Sequence, residues 1–281
     1  MDIIGIGKGG CALATHFIQY KQYKKIFRID TETLSKNERC FDLLLPSELI
    51  PEDYEKNIPN LKKYFKSIDK EVLFIVVGGG SISLASLSIL SQIKDKCSIQ
   101  ILYVQPEKDF LGHEQLLKEK LVFNVFQEYT RSGLFERMYI CSNILIDDLV
   151  GGLPVLSFFD SLNKIITSSF NYINSFSNMK AVSSTISRLP EATRISTIGV
   201  VDPETFTESM FFNLDGITDS VYYFGYNDEL LNTDKSLLKN VKDFVKSKIN
   251  DENKRVSYGI FATNYEQVII YCTKHTSIIQ N

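Results

Sequence analysis

The chain has no tryptophan, three histidines, seven prolines and five cysteines among its 281 residues. His16, His113 and His275 share no metal spacing, and Cys11, Cys40, Cys97, Cys141 and Cys272 form no CxxC pair. That scatter disfavours a zinc site or a disulfide framework, and an odd number of isolated thiols points to a reducing, cytoplasmic setting. No apolar run approaches the roughly 18 residues that a membrane-spanning helix needs. The opening Met1-Asp2-Ile3-Ile4-Gly5 lacks the charged and apolar regions of a signal peptide. No membrane association is therefore expected. Neither charge dominates: 31 Lys and Arg against 34 Asp and Glu leave a net −3, so no general basic field calls for nucleic acid.

What is present is a globular composition, 44% hydrophobic and 23% charged, long enough for one large domain or two packed subdomains. A short apolar run at Asp2–Gly5 meets the cluster Gly5-Ile6-Gly7-Lys8-Gly9-Gly10. A helix is expected at 11–18 and a strand at 25–30 ending in Asp30, which together make a βαβ unit. Residues 35–59 read as loop with short helical pieces. Leu61, Tyr64, Phe65 and Ile68 fall at helical spacing.

Glu71–Val77 is a continuous apolar strand of the kind buried on both faces of a parallel sheet, and it stops at Gly78-Gly79-Gly80. A helix carrying Leu84, Leu87, Leu90 and Ile93, a strand at 98–104, a helix at 113–128 and a strand at 137–146 follow. The alternation predicts a Rossmann-like parallel α/β sheet. Beyond Gly151-Gly152 a long apolar stripe, Phe158 to Ile173, suggests a buried connecting helix. Residues 176–192 read as irregular. Strands at 194–201 and 220–224, an amphipathic helix at 235–249 and a terminal hairpin of 255–262 with 267–273 predict a smaller mixed α/β subdomain. The expected division is 1–157, 158–176 for the central helix, and 177–281.

The two glycine clusters each follow a buried strand and precede a helix. Glycine lets backbone N–H groups approach an anion, and a helix N-terminus adds partial positive charge. Two such segments at the carboxyl ends of neighbouring parallel strands converge on one crevice, and a nucleotide is the natural occupant. The glycines also have a plain reading as tight strand-to-helix turns. Gly5, Gly7 and Gly10 with Asp30 further satisfy the dinucleotide fingerprint, which leaves an NAD-type oxidoreductase as a weaker alternative.

Taken in order along nearly the whole chain, these segments resemble the tubulin/FtsZ superfamily. Ile3–Cys11 is similar to the family's first phosphate loop, VIGVGGGGC in many FtsZ proteins. Phe74–Ser83 resembles the strand and GGGTGTG signature. Val104-Gln105-Pro106 with Phe110-Leu111-Gly112 resembles TRPFxFEG, and Met138–Asn143 resembles LIVIPN. Pro154–Ser169 resembles the start of the central helix, with Asn163 on its guanine-facing Asn. The resemblance implies a GTP or GDP site, with Mg2+ as a further candidate, at Gly7, Lys8, Gly9, Gly10, Cys11, Gly78, Gly79, Gly80, Ser81, Asn143, Asn163 and Lys164. It also implies self-association into protofilaments, with other tubulin/FtsZ-like proteins as further partners.

The departures are specific. Ile82 and Leu84 replace signature glycines, Ala12 replaces an Asn, Leu111 a Glu, Gln115 an Arg, and Lys164 an Asp. An ammonium only donates, so Lys164 cannot accept from a purine N–H. Lys8, where most relatives have glycine, reads either as a phosphate-contacting cation or as a solvent-facing lysine. Asn143 at a strand end has a plain reading as a turn residue. Cys11 reads as a packing residue without a base to activate it. The NxDxxD catalytic loop aligns with Asn178-Met179-Lys180-Ala181-Val182-Ser183, which lacks both acids, while Asp202 and Glu204 lie past the next strand. GTP hydrolysis is therefore expected to be slow or absent, with no catalytic residue assigned. The alternative is a non-enzymatic interaction module that keeps the fold and has lost nucleotide binding.

Overall fold

The computed structural model describes residues 1–48, 50, 53–249 and 254–281, which divide into two compact units, Met1–Thr167 with Asn281, and Ser168–Gln280. In the first unit, β1 (Asp2–Ile6) leads into α1 (Gly7–His16), then β2 (Ile26–Asp30) and β3 (Cys40–Leu44). A short helix α2 (Asp53–Lys56) precedes β4 (Glu71–Val77). A 3-10 turn over Ser81–Ala85 runs into α3 (Ser86–Ser91), followed by β5 (Ser98–Gln105), α4 (His113–Arg131), β6 (Arg137–Ser142) and α5 (Asn143–Val150). The strand order is β3-β2-β1-β4-β5-β6 and every pairing is parallel. β1 and most of β4 are buried on both faces, which explains their unbroken apolar sequence. The chain winds one way from β1 to β3 and the other way from β4 to β6, so the switch point lies between β1 and β4. Ligands of open α/β sheets bind at such points, outside the carboxyl ends of the strands.

The long helix α6 (Phe158–Asn178) carries the chain from the first unit into the second. The second unit continues with β7 (Ser183–Ser184), β8 (Ile195–Val201), β9 (Glu208–Met210), β10 (Asp219–Asn227), α7 (Asp228–Thr233), α8 (Leu237–Ser247), β11 (Arg255–Thr263) and β12 (Ile269–Thr276). Its strands run β8-β12-β10-β11-β7, with β10 and β11 parallel and the other neighbours antiparallel. One face carries α8, whose Leu237, Val241, Phe244 and Val245 pack with Tyr222, Phe224 and Ile260. Each such apolar side chain contributes roughly 1.5–3 kcal/mol when fully buried. On α6, the Phe176 ring stacks on Phe261 and Tyr223, and Tyr172 stacks on Tyr271.

Four sequence expectations are corrected. The last two strands do not form a hairpin, because β10 lies between them: it pairs with β11 on one side and β12 on the other. A gap of two strand spacings, about 10 Å, is easily crossed by residues 264–268. The Asn227 side chain at the end of β10 donates to the Glu266 carbonyl in that crossing. Residues 40–44 form a half-exposed edge strand rather than loop, held where Arg28 of β2 faces Asp42 of β3. The segment around 61–68 makes turns rather than a helix, although Leu61 and Phe65 are buried. The strand at 137 ends at Ser142, and Asn143 starts a helix.

Candidate functional site

The site is built on the carboxyl ends of the first unit's parallel strands. Register aligns Ile6 with Val76, Val77 with Val104, and Gln105 with Ser142. The residues immediately beyond these ends, Gly7, Gly78, Pro106 and Asn143, therefore lie along one edge of the sheet. The first glycine segment is not a loop before a helix: Gly7 through Gly10 are the first turn of α1 itself. Two physical demands put glycine there. Gly7 adopts φ +69°, which side-chain-bearing residues rarely do. At Gly10 an added Cβ would stand 2.7 Å from the Ile75 carbonyl oxygen, and at Gly9 2.8 Å from Val77 Cγ2, so these two glycines let α1 lie against β4.

The second segment turns at Gly79, φ +83°, whose Cβ position faces Leu111 at 3.3 Å. Gly78 packs against the Tyr103 hydroxyl and Glu119. Gly80 is exposed, and a Cβ there would meet nothing within 4 Å. The two segments meet directly: a Cβ on Gly7 would stand 2.8 Å from Ile82 Cγ2. Ile82, one of the departures from the glycine signature, is 9% exposed and lies over the start of α1.

The electrostatics favour an anion at this edge. The cap of α1 is Ile6, which supplies no side-chain acceptor, and no acid occupies the first turn. Lys8 is exposed. Lys118 of α4 reaches the second segment, donating to Ser81 Oγ at 3.0 Å while paired with Glu114. Sequence reasoning missed Lys118, since its only signal is an i, i+4 pairing with Glu114 that reads as an ordinary exposed helix pair. At the end of β2, Asp30 is buried and its Oδ1 accepts from the Thr31 amide, but Oδ2 has no partner. Burial pushes its carboxyl above the usual range, with the Thr31 amide and the Lys8 charge opposing. Asp147 of α5 also holds a buried oxygen, Oδ1, without a partner.

The remaining sequence candidates are placed as follows. Cys11 is buried in α1 and its thiol donates to the Gly5 and Ile29 carbonyls, so only its main chain faces other roles. Burial raises that thiol far above its ordinary range, which makes it a poor nucleophile. Asn143 is the first residue of α5 and half-buried. Asn163 and Lys164 stand in the first half of α6, Asn163 half-buried and Lys164 exposed. Nearby on α6, Asp160 pairs with His16 at the end of α1, 3.2 Å away. Among the described residues no group of three or more His, Cys, Asp or Glu could hold a metal ion, and no helix is long and apolar enough to cross a membrane.

Open space at Gly80, an α1 start without a side-chain cap, the exposed Lys8 and the Lys118–Ser81 bond all belong to segments at this edge. No protein-family model matches the chain, and no curated protein matches it by sequence. Solved structures do. An FtsZ dimer from M. jannaschii superposes with a TM-score of 0.72 at 13% identity, covering 98% of this chain and 87% of that one. TubZ of Bacillus thuringiensis serovar israelensis, solved as a GTPγS-form protofilament, gives 0.68 at 11% identity, covering 99% and 87%. A four-stranded filament of TubZ-Bt gives 0.69 at 14%, covering 98% and 85%. The chain therefore has the FtsZ/TubZ fold, a mixed α/β architecture with a mostly parallel sheet, over almost its entire length.

Proposed function

We propose that this protein is a tubulin/FtsZ-like cytoskeletal protein that binds a guanine nucleotide and assembles head-to-tail into filaments in the cytoplasm, with slow or no GTP hydrolysis. The observation that carries the reading is the direct meeting of Gly7 and the 78–82 segment at the β1/β4 switch point of a chain with the FtsZ/TubZ fold. In this reading the amides of Gly7, Lys8, Gly9, Gly10 and Cys11, with those of Gly78, Gly79, Gly80 and Ser81, cradle the phosphates. Lys8 and Lys118 supply cationic charge, Mg2+ accompanies the phosphates, and Asn143, Asn163 and Lys164 serve the nucleoside. We assign residues 1–157 the nucleotide role and 177–281 the role of an activation-like subdomain, joined by the helix at 158–176.

Filament formation is supported by the TubZ structures, which are protofilaments and filaments. It is supported too by exposed apolar residues in the first unit, Phe110, Val155 and Phe159, which a head-to-tail contact would cover. Slow hydrolysis follows from Lys180 and Ser183 standing where the catalytic loop has acids. Asp202 is no substitute: it spends its carboxylate on the Glu204 and Thr205 amides of its own turn.

A second reading keeps the fold without the ligand, as an interaction module for related filaments. Ile82 favours it, because that side chain lies on the start of α1 where signature glycine would leave room. Thermal-shift titration with GTP, GDP and ATP separates the two. Binding raises stability by about 2.7 kcal/mol at a hundredfold excess over Kd. A shift with GTP and GDP, followed by light scattering that rises with GTPγS, is expected. No shift with any nucleotide at millimolar concentration would overturn the first reading in favour of the second.

A further inference from the structure

The edge of the first unit's sheet opposite the glycine segments is strongly basic. The turns that lead into β2, β4 and β5, residues 20–25, 57–70 and 92–97, hold nine lysines against two acids, Asp69 and Asp95. The chain totals 31 Lys and Arg and 34 Asp and Glu, so everything outside these turns carries 22 against 32. The net −3 conceals a cationic edge on an otherwise anionic protein.

Register brings the three turns together. β2, β1, β4 and β5 are parallel neighbours in that order, with Ile3 beside Ile26, Asp2 beside Val72 and Glu71 beside Ser98. Lys25, Lys70 and Cys97, the residues just before β2, β4 and β5, therefore share one edge, about 14 Å long at the usual strand spacing. Side chains tie the turns to one another. The Lys25 ammonium donates to the Ser67 carbonyl. The Gln92 amide accepts from the Leu61 N–H at 2.7 Å and donates to the Pro59 carbonyl at 3.1 Å. On this frame Lys21 and Lys24 of the first turn are exposed, as are Lys62, Lys63, Lys66 and Lys70 of the second. Lys94 and Lys96 of the third are exposed too. None of these eight forms an ion pair among the described residues, and Asp69 is already paired with the Met1 amine.

Unpaired ammonium groups at this density suit a polyanion. Lysine is depleted from the cores of protein–protein interfaces, and no large apolar side chain is exposed in these turns to anchor a bilayer. Single-stranded nucleic acid needs exposed aromatic platforms. Here Tyr23 and Phe65 are buried, and Tyr20 and Tyr64 are half-buried against them. The backbone of a duplex asks only for cations, and lysines without arginine are point charges suited to phosphates rather than to base edges. Double-stranded DNA carries a charge about every 1.7 Å of axis, so 14 Å of edge spans about eight, roughly half of them facing the protein.

We propose that this basic edge, at the amino ends of β2, β4 and β5, binds the backbone of double-stranded DNA without reading its sequence. The inference does not rest on the nucleotide reading, whose residues lie beyond the other ends of the strands.

The test is fluorescence anisotropy of a short labelled DNA duplex titrated with the full chain. Saturable binding is expected, equal within about twofold for two unrelated sequences. Affinity should fall on the order of a hundredfold between about 50 and 200 mM salt, as about four neutralised phosphates require. Lys62→Glu/Lys63→Glu/Lys66→Glu should weaken binding at least about tenfold at about 50 mM salt and flatten the salt dependence. Lys94→Glu/Lys96→Glu, on a neighbouring turn, should act in the same direction. Lys235→Glu/Lys239→Glu/Lys242→Glu, at α8 of the second unit, changes net charge as much as the first variant and should stay within about twofold of the parent. All the substituted side chains are exposed, so folding is expected to survive. Absence of saturable binding by the parent at about 50 mM salt would overturn the proposal. So would equal losses in the two triple variants, or a preference above about tenfold for one duplex sequence. Binding to phosphatidylcholine vesicles with about 30% phosphatidylserine, in place of DNA and lost in the first variant, would reassign the edge to a membrane surface.

Discussion

The two units use the same residue types for opposite ends. In the first, the glycines of 7–10 and 78–80 stand where strands turn into helices, and three of the four buried side-chain polar atoms that lack a partner among the described residues belong to it: Asp30 Oδ2, Ser86 Oγ and Asp147 Oδ1. In the second, Gly199, Gly225 and Gly259 stand inside strands, under rings or sulfur. Gly225 lies beneath Phe176, and a Cβ on Gly199 would meet Met210 Sδ at 2.4 Å. Its buried charge is also satisfied. Glu208 accepts from Tyr222 at 2.7 Å and pairs with Lys248 at 2.7 Å and with Lys274. Unspent hydrogen-bonding capacity in a folded chain marks where a ligand is to be sought, and here it concentrates in the unit that carries the switch point.

The sharpest way to break this contrast is Gly10→Ala. The added Cβ meets main chain, the Ile75 carbonyl, which cannot step aside as a flexible side chain would. We expect a loss of about 3 kcal/mol from overpacking, read by urea unfolding. A loss under about 1 kcal/mol would mean that packing does not require glycine at position 10, leaving main-chain access for a ligand as the reason for it.

Next is Glu208→Gln in the second unit. Burial pushes the Glu208 carboxyl up, but its bonds with Lys248, Lys274 and Tyr222 outweigh that and hold it at about 2. A carboxyl depressed in the folded state stabilises above its unfolded value and loses that contribution as pH falls toward its folded value. The parent should therefore exceed Glu208→Gln by about 2 kcal/mol at pH 6, with the gap narrowing as pH drops from about 4.5 toward 2. A gap independent of pH would remove charge from the account.

How far the sequence foretold these features depends on whether the cause was local. β4 was legible because a strand buried on both faces must be apolar throughout. The glycine segments were legible as strand exits, and the strands that precede them are neighbours. That Gly7–Gly10 belong to a helix was not, because glycine reads as a helix breaker until the β4 backbone behind it is known. β3 was hidden for a similar reason: it is an edge strand whose support, the Arg28 guanidinium, binds Asp42 through two bonds and also Thr15 and the Ser35 carbonyl. The false hairpin came from taking sequence neighbours as spatial ones, and Lys118 was masked by Glu114.

A milder probe of the second unit is Gly225→Ala. Its Cβ would meet Phe176 Cζ and Thr263 Cγ2 at 2.9 Å, both side-chain atoms that can shift by tenths of an ångström. A loss of about 1–2 kcal/mol is expected. Equality with Gly10→Ala would erase the distinction between packing on main chain and packing on rings.

The smallest expected effect on stability is the most informative about function. Gly80 has ordinary backbone angles, φ −76° and ψ 138°, and open space where a Cβ would go. Packing therefore gives no reason for glycine at this position, and Gly80→Ala should unfold within about 0.5 kcal/mol of the parent. If the open space is where phosphates lie, the same methyl group intrudes on the ligand. GTP affinity should then fall about tenfold, seen as a smaller thermal shift at fixed nucleotide concentration. A variant that keeps both stability and affinity would separate the second glycine segment from the nucleotide, leaving α1 and Lys8 to hold it alone.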